Sequence, residues 1–158
     1  MDSRPEEPVD RLPRVIDAHI AAERETLVAY RCLARAAADP TDALLLTLVL
    51  EDEERHHDLL QLLAARLRES RGAHDNSNPR PASIATAAVA SALPPESIQS
   101  FLHHEREGAR QLREMARQEA PHRDGLFALL LEIMARDSEK HADILRFLLA
   151  TRSRPQQG

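Results

Sequence analysis

The sequence contains few of the residues that build β-sheets and tight turns. Aromatic residues make up 3% of the chain, tryptophan is absent, and there are 4 glycines among 158 residues. Alanine, leucine, arginine and glutamate, which favour helices, are abundant instead. We therefore predict an all-α protein, and a hydrophobic content of 42% is enough for one domain with a packed core.

Cysteine is nearly absent as well. The single Cys32 excludes an internal disulfide framework and any zinc knuckle made of paired cysteines. We expect Cys32 to be a small buried hydrophobic side chain. The acidic, proline-rich start MDSRPEEP does not have the pattern of a secretory signal. These features together predict a reduced, cytoplasmic protein.

Long apolar runs and long basic runs are also missing. The longest apolar stretches, ALLLTLVL at 43–50 and IATAAVASAL at 84–93, are too short to span a bilayer. The formal net charge is −5, with arginine and glutamate interspersed, which gives no surface suited to phosphate groups. We therefore expect neither a membrane nor a nucleic acid as a partner.

Prolines and turn residues divide the chain into four predicted helices. We expect a disordered N-terminus at 1–8, a helical bundle at 9–150 and a flexible tail at 151–158. The predicted helices, in chain order, span about 10–38, 40–71, 95–120 and 121–150.

The lengths of the connections predict the topology. Asp39 would cap the second helix with Pro40 at its first position, and Pro121 would open the fourth helix. These short connections favour two antiparallel hairpins. The middle connection, 72–94, is long enough at roughly 20 residues to run the length of a helix as a crossover. A plain up-down-up-down bundle with a long middle loop is the alternative.

The positions that would face the bundle core are apolar except for a polar interruption near the middle of each helix. Along the alternating three- and four-residue spacing of a core seam, these interruptions are Glu23, Glu53, His56, Glu105, Ser138 and His141. Mid-helix positions on four helices share roughly one level. The three carboxylates and two imidazoles of this set should therefore converge.

Burying three carboxylates together costs several kcal/mol per ion without compensation. No lysine or arginine lies on the seams, so a divalent metal would supply the positive charge. Oxygen and imidazole ligands without thiolate suit iron, manganese or zinc. The spacing Glu-x-x-His puts both side chains on one face of a helix, so both reach one ion. The competing interpretation is that these glutamates are partly solvated or salt-bridged and bind no metal.

The two halves of the chain resemble each other. HIAAERETLVAYRCLA at 19–34 aligns with FLHHEREGARQLREMA at 101–116, and DEERH at 52–56 aligns with DSEKH at 137–141. Each half would be one hairpin, and the site would lie where the two hairpins meet.

These motifs resemble the ferritin-like superfamily, and rubrerythrin-type di-iron carboxylate proteins in particular, over about residues 10–150. The resemblance implies a ferritin-like four-helix bundle with iron as cofactor, as two ions or one, and with manganese or zinc as alternatives. Glu23 and His56 would hold one ion, Glu105 and His141 the other, and Glu53 would lie between them. No rubredoxin-like cysteine module accompanies the bundle.

The resemblance also assigns residues around the ligands. Asp52 and Asp137 precede the two motifs, and each would bind the far nitrogen of a ligating histidine and fix its tautomer. Tyr30, seven residues after Glu23, matches a tyrosine that lies beside the metals in ferritin-like first helices. Ser138 departs from the pattern, because it stands where the second bridging glutamate is expected.

Other polar residues on these helices have weaker patterns. Glu54 and His57 form a second Glu-x-x-His on a less apolar face, and we expect them to be solvated. His19, His103 and His104 lie within a turn of the predicted ligands and are expected at the rim of the site.

A second apolar stripe on helix 2 is wider than one bundle core requires. It consists of Leu44, Leu48, Leu59 and Leu62. We expect a homodimer formed through helices 1 and 2.

Two functions are compatible with these patterns. The first is a metal-binding ferritin-like protein with redox chemistry on ferrous iron, oxygen or peroxide, as in a ferroxidase- or peroxidase-type oxidoreductase. The second is a non-catalytic bundle of the same fold that holds zinc, manganese or no metal. Ser138 favours the second function, and the otherwise complete motifs favour the first.

Overall fold

The computed structural model describes residues 8–70, 95–121 and 125–152. These residues form four α-helices and no strand, which confirms the predicted all-α bundle. The helices are α1 Pro8–Ala36, α2 Pro40–Ser70, α3 Pro95–Glu119 and α4 Leu126–Arg152. None of the helices in these ranges is both long and apolar enough to cross a membrane.

Several expected segments fall outside the part of the chain that the structure describes. The predicted crossover at 72–94 lies there, as do most of the expected N-terminus at 1–8 and tail at 151–158. Helix α4 continues to Arg152, two residues into the segment expected as a tail.

The start of α2 follows the predicted capping. The backbone N–H groups of Thr41 and Asp42 donate to Asp39 Oδ1 at 2.7 and 3.1 Å. These bonds satisfy two of the donors that have no partner within the first turn of a helix. The bonds from Asp42 and Thr41 also lower the pKa of Asp39. Pro40 is the first helical residue, as the sequence predicted.

The fourth helix begins later than predicted, so the assignment of Pro121 as its first residue is wrong. Ala120 and Pro121 lie in a turn after α3, and α4 begins at Leu126. Gly125, just before it, has φ of 73°, a left-handed conformation that only glycine adopts readily. A helix that started at Pro121 would require Gly125 to be right-handed.

Paired side chains show that α1 and α2 are antiparallel. Asp17 pairs with Arg68, and Arg31 pairs with Glu54. As the residue number increases along α1, the number of the partner residue on α2 decreases. Three further helix pairs are antiparallel by the same criterion. Helices α3 and α4 are joined by Glu105–His141 and Arg113–Glu132, and α1 and α3 by Thr26–His104 and Tyr30–Phe101. Helices α2 and α4 are joined by Asp52–His141 and His56–Asp137.

These directions fix the relation between the two hairpins. Because α2 and α3 are both antiparallel to α1, they run in the same direction. The end of α2 and the start of α3 therefore lie at opposite ends of the bundle.

Buried apolar side chains form two clusters, one toward each end of the bundle. One cluster includes Ile16 and Leu60, and the other includes Leu46 and Ile98. All four helices contribute to both clusters. The mid-helix polar residues fall between the clusters in the sequence of every helix, so an apolar layer lies on each side of them.

The prediction that Cys32 is buried is wrong. Cys32 is exposed, whereas Tyr30 and Leu33 on the same helix are buried. Successive residues of an α-helix are about 100° apart. A one-residue step from Leu33 is therefore enough to turn the Cys32 side chain out of the core.

Leu60 and Leu62 provide a test of the core with two leucines on one helix. Leu60 is 0% exposed and Leu62 is 54% exposed. We expect Leu60→Ala to lower the free energy of unfolding by about 2–5 kcal/mol, because it leaves a cavity. Leu62→Ala should change it by about 0.5 kcal/mol or less. Urea denaturation followed by circular dichroism measures both, and equal losses would contradict this description of the core.

Candidate metal centre

Most of the buried polar side chains of the four helices lie at one level between the two apolar clusters. All five residues that the sequence predicted as metal ligands are among them, and none is more than 5% exposed: Glu23, Glu53, His56, Glu105 and His141. The structure therefore brings together three carboxylates and two imidazoles, with one or two of these side chains from each helix.

Their donor atoms form two groups that share Glu53. Donor atoms of Glu23, Glu53 and His56 lie within 4.8 Å of one another, and so do those of Glu53, Glu105 and His141. His56 Nδ1 lies 3.5 Å from Glu53 Oε1. His141 Nδ1 lies 2.8 Å from the same oxygen and 3.4 Å from Glu105 Oε2. Glu53 is thus placed between two positions that could each hold an ion.

Three atoms of this cluster are buried without a hydrogen-bond partner. They are Glu23 Oε2, Glu53 Oε1 and His141 Nδ1. The last two lie 2.8 Å apart and attract each other as an ion pair when His141 is protonated. Buried polar atoms are normally satisfied, and an unpaired charged group is costly. Because carboxylate oxygens and imidazole nitrogens are ligands of iron, manganese and zinc, these residues fit a metal ion.

Each histidine ring is held by an aspartate from the opposite helix. His56 Nε2 lies 3.2 Å from Asp137 Oδ2, and His141 Nε2 lies 3.2 Å from Asp52 Oδ2. An aspartate that accepts the Nε2 proton leaves Nδ1 as the atom directed at the carboxylates. The structure places both aspartates where the resemblance implied, and the bonds cross between α2 and α4.

Lys140 is a residue of the site that sequence reasoning missed. Its Nζ lies 2.6 Å from Asp52 Oδ2 and 2.8 Å from Asp137 Oδ1. Burial acts to raise the pKa of Asp137, but Lys140 and His56 outweigh burial and lower it. Lys140 therefore helps to keep Asp137 ionised, and it pairs with Asp52 as well. The signal in the sequence was its spacing of three residues from Asp137, which puts both on one helical face.

Tyr30 and Ser138 are both buried at this level. The Tyr30 hydroxyl donates to Glu105 Oε1 at 2.5 Å, so the tyrosine of α1 orients the carboxylate of α3. Burial and the neighbouring Glu105 raise the pKa of Tyr30 well above its usual value, so the phenol stays neutral. Ser138 lies one turn before His141, at the position expected for a second bridging carboxylate.

Burial and the neighbouring charges give these groups unusual pKa values. Burial, followed by the charges of Glu53 and Glu105, raises the pKa of Glu23 to about 9. Burial acts to lower the pKa of His141, but the carboxylates of Glu105 and Glu53 outweigh it and raise the pKa to about 9. Burial opposes ionisation of Glu53, yet His141 and His56 lower its pKa to about 2. Without a metal, Glu23 and His141 therefore carry protons at neutral pH.

The prediction that His57 is solvated is wrong. Its side chain is 12% exposed, and its Nδ1 lies 3.6 Å from Glu23 Oε2. His57 is one residue past His56 and turns away from the bundle axis, but that direction faces α1. Glu54 does match the prediction, because its side chain is 45% exposed and pairs with Arg31.

The three histidines predicted at the rim have different surroundings. His19 Nε2 lies 3.5 Å from Glu23 Oε1, and the side chain is 12% exposed. His104 is exposed but lies 3.0 Å from Thr26 Oγ1 through its Nε2. His103 is exposed. Of the three, His19 reaches a predicted ligand.

Comparison of the chain with protein-family models, with curated proteins and with solved structures gave no significant match in any of the three. The described residues define a four-helix bundle with a buried carboxylate–histidine cluster. That cluster is the feature of the molecule from which a function can be inferred.

Neighbouring glutamates on α2 allow a direct test of the cluster. We expect Glu53→Gln to remove most of the bound metal, because Glu53 belongs to both ligand groups. The matched variant Glu54→Gln should bind as the parent does. Elemental analysis of protein loaded with ferrous iron, manganese or zinc and then desalted measures both. Equal metal content in the two variants would contradict the assignment.

Metal uptake should also release protons. Ligands must be deprotonated to bind, and Glu23 and His141 have pKa values of about 9. We expect about two protons to leave these groups per loaded centre near neutral pH, and progressively fewer as the pH rises above 9. Calorimetry in buffers of different ionisation enthalpy counts them. Glu23→Gln should release one proton fewer, and a release that does not vary with pH would contradict these pKa values.

Proposed function

We propose that the protein is a ferritin-like metal-binding protein whose centre holds iron, as two ions or one, and oxidises ferrous iron with oxygen or peroxide. The observation that carries the proposal is the pair of ligand groups that share Glu53. The buried atom Glu23 Oε2, which has no hydrogen-bond partner, adds to it, since a cation would satisfy this oxygen.

The fold supports the ferritin-like part of the proposal. The shared direction of α2 and α3 is the one that two hairpins joined by a long crossover require. A plain up-down-up-down bundle would make these helices antiparallel. The two halves of the sequence are related, and one ligand group is centred on each half. This repeat also supports a bundle made of two hairpins.

The residues of the chain would perform distinct tasks around the bound ions. Two ferrous ions would supply two electrons, which with two protons reduce one hydrogen peroxide to two waters. The carboxylates balance their charge, because three carboxylates and two neutral imidazoles leave two divalent cations at a net +1. Asp52 and Asp137 hold the histidine rings, Tyr30 holds Glu105, and the apolar layers exclude bulk water from both sides.

Oxidation of added ferrous iron tests the proposed activity. Metal-free protein is mixed with ferrous iron in the presence of oxygen or peroxide, and the growth of ferric absorption is followed. The parent and Glu54→Gln should oxidise iron faster than a protein-free solution, and Glu53→Gln should not. If the parent binds iron but gives the protein-free rate, the activity is absent and the second candidate function stands.

The second candidate is a non-catalytic bundle of the same fold that holds zinc, manganese or no metal. The buried Ser138 favours it, since a serine at the bridging position removes one negative charge from the ligand set. A centre with this set would hold its second ion weakly. Metal analysis of the purified protein distinguishes a resident zinc or manganese ion from iron.

Replacing Ser138 with a carboxylate should strengthen the centre. We expect Ser138→Glu to increase the metal stoichiometry or the affinity, because a fourth carboxylate brings the net charge with two divalent cations to zero. Ser138→Gln, which has the same size without the charge, is the control. Titration with ferrous iron or zinc measures both variants. If Ser138→Glu binds no more metal than Ser138→Gln, Ser138 does not face the ions.

A homodimer and a cytoplasmic location remain part of the proposal. Large exposed apolar side chains lie on α2 and α4: Leu44, Leu48, Leu62, Leu126, Leu129, Ile133 and Phe147. Leu59, the fourth leucine of the expected stripe, instead packs partly against the core. Helix α1 exposes Val15 alone among its described large apolar residues. This distribution favours α2 with α4 as the dimer surface over the expected helices 1 and 2. The exposed free thiol of Cys32 suits a reducing compartment.

A further inference from the structure

Two imidazoles lie beside Glu23, outside both ligand groups. His19 Nε2 lies 3.5 Å from Glu23 Oε1, and His57 Nδ1 lies 3.6 Å from Glu23 Oε2. Glu23 Oε2 and His57 Nδ1 are both buried and have no hydrogen-bond partner. The contact between Glu23 Oε2 and His57 Nδ1 therefore leaves both atoms unsatisfied.

The distance between the histidine nitrogen and the Glu23 oxygen in each contact is typical of two ligands on one ion. Both contacts are longer than a hydrogen bond. Ligands about 2.1 Å from a tetrahedral ion are about 3.4 Å apart. The predicted ligand pairs His56–Glu53 and His141–Glu105 have the same spacing, at 3.5 and 3.4 Å. Each contact of Glu23 thus resembles these two contacts of the centre, although His141 Nδ1 lies closer to Glu53 Oε1, at 2.8 Å. The donor atoms of His19, Glu23 and His57 are too far apart to form a third three-ligand group of the kind found in the centre.

The orientation of the His57 ring can be fixed from its other side. The Gln61 amide nitrogen lies 2.8 Å from His57 Nε2. A half-turn of that amide places its oxygen there, where it accepts the Nε2 proton. The lone pair of Nδ1 then points toward Glu23.

This arrangement exists on one side of the centre only. In the alignment of the two halves, His19 corresponds to Phe101, and His57 corresponds to Ala142. Phe101 packs against Tyr30 with ring centroids 4.4 Å apart, and Ala142 is buried. The Glu105 side is therefore closed by apolar groups, whereas the Glu23 side continues into imidazoles.

Solvent exposure increases from Glu23 toward the two histidines. The Glu23 side chain is 6% exposed, and the His19 and His57 side chains are 12% exposed. The two rings thus stand between the buried carboxylates and the solvent, and they present nitrogen ligands along the way.

We propose that this side of Glu23 is the entry position of the centre, where His19 or His57 joins Glu23 in binding an incoming divalent cation. The inference rests on the proposed function in one respect, namely that the centre binds metal. Glu23 contributes one carboxylate to both positions, so an ion passes from the imidazoles to Glu53 and His56 without leaving its first ligand.

The rate of loading tests the proposal. The double variant His19→Phe, His57→Ala gives the Glu23 side the residues of the Glu105 side, and cobalt is the probe because its visible absorption reports binding. Stopped-flow mixing should show cobalt uptake about tenfold slower than in the parent, at the low end of the effects of removing groups that support metal ligands. Final stoichiometry should be unchanged. His103→Ala, an exposed histidine on α3, is the control and should load at the parental rate.

The outcomes separate the two proposals. An unchanged loading rate in the double variant overturns the entry position while metal binding by the centre stands. Loss of equilibrium affinity at an unchanged rate also overturns it, because the histidines would then be resident ligands. If the parent takes up no cobalt, zinc or iron, the proposed function itself fails. The single variant His57→Gln, which keeps a polar side chain of similar size, gives the same test should the double variant fail to fold.

Discussion

The constraint on which this structure depends is the burial of three carboxylates between two apolar layers. Glu23, Glu53 and Glu105 are buried at one level, so their repulsion and desolvation oppose folding. The protein offsets part of this cost through the pairing of Glu53 with His56 and His141, and through a proton on Glu23. What remains unsatisfied is concentrated on atoms that a divalent cation would bind. The apolar clusters supply the stability that permits such a site.

Much of the bundle and the centre could be predicted from the sequence, because helical periodicity determines which residues face a core. The interruptions at Glu53 and Glu105 were visible as single polar residues in apolar seams, and the structure places them together. Asp39 was predictable as a cap because its chemistry is local. Such signals depend on spacing along one helix and need no knowledge of neighbours.

The features that could not be predicted depend on contacts between helices or on backbone conformation. His57 lies on a face of α2 that is polar in sequence, and only the position of α1 shows that this face is covered. The prediction for Cys32 was wrong because a small apolar residue can lie on either the buried or the exposed face of a helix. Pro121 gave a stronger local signal than Gly125, yet the left-handed conformation of Gly125 determines where α4 begins. Lys140 was missed because one of its partners, Asp52, lies on another helix.

The crossed pairs between α2 and α4 have a consequence for how such a chain could arise. Each histidine takes its aspartate from the other half, His56 from Asp137 and His141 from Asp52. A single helical hairpin therefore carries half of each pair and completes neither. A one-hairpin ancestor would have needed a second copy of itself to orient its own imidazole, and fusion of the two copies would have made that partnership permanent. Fused halves would be free to diverge. Ser138, which aligns with Glu53, and Phe101, which aligns with His19, are differences that an assembly of identical hairpins could not have acquired on one side alone.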